Sequence, residues 1–142
     1  IYQGKFFYQL YFQKEGVAEA EFEANIRKYL ELTYFSIDAR GMRFQKENAI
    51  NASSKGPNAR YLDGIPEFDT YPSWMTNEDM DYLVSEFENS GMRGPLNRYR
   101  AQQIDFEDLL ELTDAKIKQP SAILTGKYDP VNFFTGSNYE KN

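Results

Sequence analysis

The amino-acid sequence predicts a mainly α-helical chain with a single short strand. Three observations carry that expectation: an amphipathic run that opens after Gly16, a second apolar stripe that starts beside a capping residue at Thr76, and one isolated apolar run from Ser121 to Gly126. At 142 residues the chain is the size of one compact unit, and its 41% hydrophobic and 27% charged residues exclude disorder throughout.

Taken in order, the segment Phe6-Phe7-Tyr8-Gln9-Leu10-Tyr11-Phe12-Gln13 is aromatic on both sides of any strand alternation. It is expected as a buried extended run or a loop against a pocket. From Ala18 to about Thr33, Phe22, Ile26 and Leu30 recur at intervals of four, while Glu19, Glu21, Glu23 and Lys28 fall elsewhere on the wheel. That spacing predicts an amphipathic helix and places the acids, with Glu15, on a solvated face rather than around a metal. From about 44 to 73 the chain holds Gly56, Pro57, Gly64, Pro66 and Pro72 without sustained periodicity, which predicts a long surface loop.

Thr76 can cap a helix that has Glu78 and Asp79 in its first turn, Met80, Leu83, Val84 and Phe87 as its buried stripe, and Gly91 at its end. Pro95 is suited to the start of the next helix, which runs to about Gln103 and presents Tyr99. A further short helix is expected over Phe106 to Leu112. The run from Ser121 to Gly126 has the character of a buried strand of a parallel sheet, and an unpaired strand edge predicts self-association of the chain on its own.

Charge and composition narrow the chemistry. Lys plus Arg number 16 against 22 Asp plus Glu, a net charge of -6, with no basic stripe to neutralise phosphates, so nucleic acid is not an expected partner. No apolar run is long enough to span a membrane and the amino end does not have the pattern of a signal peptide; a cytoplasmic location is the expectation, with the true start upstream of Ile1. The chain has no Cys and no His, so no Ser-His-Asp or Cys-His site can close within it, and the usual proton shuttle and commonest metal ligand are missing. Carboxylates and phenols remain. With 11 Tyr and 11 Phe, some rings are expected to line a pocket or an interface as well as a core.

Two segments then speak together. Tyr8-Gln9-Leu10-Tyr11-Phe12-Gln13 leads to Gly16-Val17-Ala18-Glu19, and Ser90-Gly91-Met92-Arg93-Gly94-Pro95-Leu96-Asn97 leads to Tyr99-Arg100. These resemble the lid motifs of the soluble epoxide hydrolases, a family of the α/β-hydrolase superfamily. A third segment, Ala122 to Thr125 followed by Gly126-Lys127-Tyr128-Asp129, is similar to the strand and turn that present the acid of the family's triad. The resemblance implies that residues 1–118 are a helical cap, or lid, and residues 119–142 a piece of the α/β core, the orphan strand among them.

It also implies a reaction in which epoxides are opened to vicinal diols through an Asp-ester intermediate, without a cofactor, on a small-molecule substrate. The lid residues that would activate the epoxide oxygen are Tyr8 and Tyr99, 91 positions apart (99 minus 8). Opening the ring creates an alkoxide, and a phenol, whose ordinary pKa of about 10 keeps it protonated at neutral pH, can donate first a hydrogen bond and then a proton. Asp129 would orient the catalytic His, which the resemblance places downstream of Asn142, with the nucleophile upstream of Ile1. Phe7, Phe12 and Trp74 are candidates for the substrate pocket. Arg98 stands where the family often carries Trp, a departure that implies a more polar pocket wall or a side chain turned outwards. The alternatives are a haloalkane or haloacid dehalogenase, in which the group to be stabilised is a halide, and a non-catalytic self-associating module.

Overall fold

The computed structural model describes residues 4–50, 55–129 and 131. Among them the chain forms seven α-helices: α1 (Tyr8–Phe12), α2 (Val17–Glu23), α3 (Ile26–Ile37), α4 (Ala39–Glu47), α5 (Asn77–Ser90), α6 (Arg93–Arg100) and α7 (Gln102–Asp108), the last followed by a 3₁₀ turn at Leu110–Leu112. No strand forms among the described residues. The apolar run at 121–126, expected as a strand, is irregular and exposed. A β-ladder needs a second strand to exchange backbone hydrogen bonds, and the described residues offer none.

The aromatic segment at 6–13 is a helix from Tyr8, neither a loop nor extended. Tyr8, Tyr11 and Phe12 stand at i, i+3 and i+4, so one helical face collects all three rings, a periodicity that the unbroken aromatic run conceals. The single helix expected from Ala18 to Thr33 is two. Asn25 breaks it, its side chain accepting a hydrogen bond at 2.9 Å from the backbone N–H of Lys28 and so capping α3. The loop expected from residue 44 begins after Glu47, because Asp38 caps α4 through the N–H of Gly41 at 2.7 Å and starts a helix there. Gly41 sits so close to the end of α3 that a Cβ would lie 2.1 Å from the carbonyl oxygen of Phe35. Only glycine permits that corner.

At Thr76 expectation and structure agree. Its side chain and that of Asp79 form a reciprocal capping box, and α5 closes at Gly91 with φ of 69°. Pro95 lies in the first turn of α6, where a missing N–H removes no helical hydrogen bond. The helix expected from Pro95 to Gln103 therefore starts two residues earlier and ends at Arg100, with α7 taking over from Gln102.

Two buried clusters hold the body together. Phe12, Ala18, Phe22, Met92 and Leu96 bring α1, α2 and α6 into one; Ile26, Leu30, Phe35 and Met80 join α3 to α5 in the other. Tyr29 and Phe87 pack against both. The acids expected on a solvated face are instead ties: Glu19 pairs with Arg100, Glu21 is buried beneath the long loop, and Glu23, though exposed, accepts from the N–H of Met92 at 2.8 Å. The loop itself is pinned down along its length, by Lys28 to Glu67 at 2.7 Å, by Arg40 to the carbonyl of Thr70 at 2.7 Å, and by Arg27 to the Tyr71 hydroxyl at 3.1 Å.

Candidate active site

α1 and α6 are the elements that carry the two tyrosines singled out above. Gly91 turns the chain out of α5 and into α6, whose last turn holds Tyr99; Leu96 and Met92, both buried, seat that helix against α1 and α2. Tyr8 and Tyr99 meet edge to face, ring centroids 5.8 Å apart and planes at 86°. Phe12 forms the floor beneath them, 5.5 Å from Tyr8 and 5.0 Å from Tyr99, and is itself only 4% exposed. Edge-to-face contact is the arrangement that ring quadrupoles favour, so the three rings form a defined cluster.

Both tyrosines are half-buried. The Tyr8 hydroxyl accepts a hydrogen bond from Nε2 of Gln9 at 3.1 Å, and neither phenol donates its own proton to a group among the described residues. Such hydroxyls can each offer a donor to an oxygen placed between or above them.

The cluster extends further than the sequence suggested. Tyr61, from the long loop, lies 5.4 Å from Phe12 and 5.2 Å from Phe22, and Tyr29 stacks on Phe22 at 4.0 Å. Burial pushes the phenols of Tyr61 and Tyr29 above their ordinary range. Tyr11 is pushed up to about 12, by burial first and then by the hydrogen bond it gives Glu21 at 2.6 Å. Glu21 is the hub: its carboxylate also accepts from the backbone N–H groups of Tyr61 at 3.2 Å and Leu62 at 3.1 Å, and Arg60 lies 3.5 Å away. A buried carboxylate is stable only when so supplied with donors. Nothing in the spacing of the acids distinguishes Glu21 from its neighbours; its one local mark is that it precedes the core residue Phe22.

The remaining candidates are distributed unevenly. Phe7 lies beside Tyr8, ring centroids 5.3 Å apart, and precedes α1 as its N-cap. Trp74 stands with the second cluster, its ring 6.0 Å from Phe35 and its indole N–H directed to Asp38 at 3.4 Å, with half its surface exposed (52%). Asp129 belongs to a turn closed by its own N–H to the carbonyl of Gly126 at 3.0 Å, and its carboxylate accepts from the N–H of Val131 at 2.8 Å. Neither Trp74 nor Asp129 is among the residues packed on the tyrosine cluster. Two open grooves, one lined by Glu21, Lys28, Arg60, Asp63 and Glu67, the other by Tyr11, Lys14, Glu21 and Arg60, flank the Glu21 hub without reaching Tyr8 or Tyr99. No group of acids able to hold a metal ion forms among the described residues. No helix there is long and apolar enough to cross a membrane.

The helical body has the form of an α/β-hydrolase cap, and the solved structures it resembles share that fold. No family model matches the chain. Epoxide hydrolase A of Mycobacterium tuberculosis is 32% identical over 130 residues, which are 92% of this chain and 39% of that protein. The crystal structure of Epoxide Hydrolase A from Mycobacterium thermoresistibile superposes with a TM-score of 0.81 at 31% identity, covering 92% of this chain and 39% of that one. An epoxide hydrolase from an endophytic Streptomyces gives a TM-score of 0.81 at 32% identity over 96% of this chain and 40% of its own. The chain is homologous to the cap-bearing segment of these epoxide hydrolases, and it spans about two-fifths of the length of each of the three.

Proposed function

We propose that this chain is the lid segment of an epoxide hydrolase, in which Tyr8 and Tyr99 together hold the oxygen of the epoxide ring while it opens to a vicinal diol. The observation that carries the reading is the meeting of these two phenols, 91 positions apart (99 minus 8), edge to face at 5.8 Å over the buried Phe12.

In this reading a carboxylate supplied from outside the segment attacks one ring carbon, the C–O bond breaks, and the oxygen leaves as an alkoxide. The two hydroxyls stabilise that charge as it develops, and one gives up its proton to it. The resulting ester is hydrolysed by water activated by a His, a residue this chain does not contain, with Asp129 orienting that His. Phe7 and Phe12 are the pocket walls on the tyrosine side. Trp74 would contact only the far end of a long substrate. Residues 1–118 act as the cap and 119–142 as part of the core against which it closes.

The test is complementation. The chain alone, assayed with a chromogenic epoxide, is expected to show no turnover; placed in Epoxide hydrolase A of Mycobacterium tuberculosis in exchange for the segment it matches, it is expected to give an epoxide-hydrolysing enzyme. Turnover by the isolated chain above the buffer blank would contradict the account of groups supplied from outside, and a folded exchange enzyme that released halide from haloalkanes while ignoring epoxides would favour the dehalogenase alternative.

A second reading, a self-associating module, is supported by the exposed apolar side chains of 104–124, among them Phe106 at 64% and Leu124 at 95%. Light scattering at high concentration is expected to find the isolated chain associated, and a monodisperse monomer would count against it.

A further inference from the structure

The two motifs that deliver the phenols end in charged residues that the proposed chemistry leaves unused, Glu19 in the first and Arg100 in the second. The fold brings them together. Nη1 of Arg100 donates to one carboxylate oxygen of Glu19 at 2.6 Å and Nη2 to the other at 3.0 Å, and the two side chains are only 11% and 13% exposed. This is the bidentate fork that a guanidinium makes with a carboxylate and an ammonium cannot.

The rest of the guanidinium is also occupied. Nε donates to the carbonyl of Phe12 at 2.8 Å, Nη2 to the carbonyl of Lys14 at 3.3 Å, and Nη1 to Oδ1 of Asn97 at 3.2 Å. With the two bonds to Glu19, these account for all five N–H donors that an arginine has. Phe12 is the last residue of α1, where a carbonyl has no helical donor of its own, and Lys14, whose carbonyl also accepts from the N–H of Val17 at 3.3 Å, follows just beyond it. A helix of five residues does not hold itself together in water. In return, Nε2 of Gln13 donates to the carbonyl of Tyr99 at 3.0 Å. Arg100, next to Tyr99, thus grips the end of the helix that carries Tyr8.

We propose that Arg100 and Glu19 are positioning residues that fix α1 against the end of α6 and so set the separation of Tyr8 and Tyr99. The proposal rests on the reading of those phenols as a clamp on the epoxide oxygen, but its geometric content stands by itself. Neither residue touches the substrate in this account. A buried ion pair is a weak source of net stability and a strong source of geometric definition, because a displaced fork strands its donors. A role of this kind should therefore appear as local displacement and not as general unfolding.

The experiment compares ring-to-ring nuclear Overhauser effects in the 142-residue chain, with Arg100→Lys, which keeps the charge without the fork, and Glu19→Gln, which keeps the shape without the charge. The Tyr8 to Tyr99 signal is the readout, and the Phe22 to Tyr29 stack at 4.0 Å is the internal reference for an intact fold. The expected result is loss of at least half the Tyr8 to Tyr99 intensity in both variants, with the reference unchanged. Full retention of the Tyr8 to Tyr99 signal in both variants overturns the proposal. So does parallel loss of both signals in both variants, which would make the pair a general stabiliser. The readout needs no turnover: if the brace behaves as expected while removal of either phenol leaves epoxide opening intact, the positioning stands and the catalytic reading falls.

Discussion

The chain up to Arg100 and the chain beyond Ala101 treat apolar residues in opposite ways. In the first region Phe12, Phe22, Leu30, Phe35, Met80, Met92 and Leu96 are all buried, and the loop between α4 and α5 is folded down over them. From Gln102 to Tyr128 every residue is exposed, including Ile104, Phe106, Leu109, Leu110, Leu112, Ile117, Ile123 and Leu124. Both stretches are comparably apolar in sequence. The difference is that α1, α2, α3, α5 and α6 find complementary faces on one another, whereas α7 packs mainly on α6 and the 3₁₀ turn after it. An apolar pattern records that a face will be covered; it does not record by what.

That contrast is open to direct attack. Phe22 touches both Tyr29 and Tyr61 and is fully buried, so Phe22→Ala is expected to cost about 3 to 5 kcal/mol by urea denaturation, and a cost below about 1 kcal/mol would erase the distinction between the regions.

Acidification comes next. The bond from Arg100, aided by backbone N–H groups, holds the Glu19 carboxyl below the ordinary value of 4.5 in the folded state. Its contribution is therefore complete above 4.5 and disappears as pH falls through the lowered folded value. The stability difference between the native chain and Glu19→Gln should shrink on the way from about pH 7 to about pH 3; a difference that stays constant would deny the linkage.

Thr76→Ala, which opens the capping box of α5, is expected to cost about 1 kcal/mol in the same denaturation experiment. The smallest effect belongs to the exposed region. Leu124→Ala should change stability by no more than about 0.5 kcal/mol, and a larger loss would mean that this side chain is covered after all.

What the sequence disclosed follows the same division. Helix α5 was legible to its ends because Thr76, Asp79 and Gly91 act locally. The break at Asn25 and the helix after Asp38 were not, since a cap within a continuous apolar pattern gives no warning, and the tight corner at Gly41 depends on where α3 already lies. The run at 121–126 has a strand's composition without a strand's partner, and composition alone cannot supply the ladder. At the site, Tyr8 and Tyr99 were named from the motifs that contain them. Tyr61, Glu21 and the pairing of Glu19 with Arg100 were not, because each arises from contacts across 40 to 81 positions that only the folded chain creates.

The most direct test of the account is the effect of Tyr8→Phe and Tyr99→Phe on kcat for epoxide opening, measured with this segment in an active hydrolase. Each loses one donor to the developing alkoxide and keeps its ring on Phe12, so each is expected to lower kcat by a few hundredfold, about 3 to 4 kcal/mol. A variant of either tyrosine that opened the ring within about twofold of the native rate would contradict it.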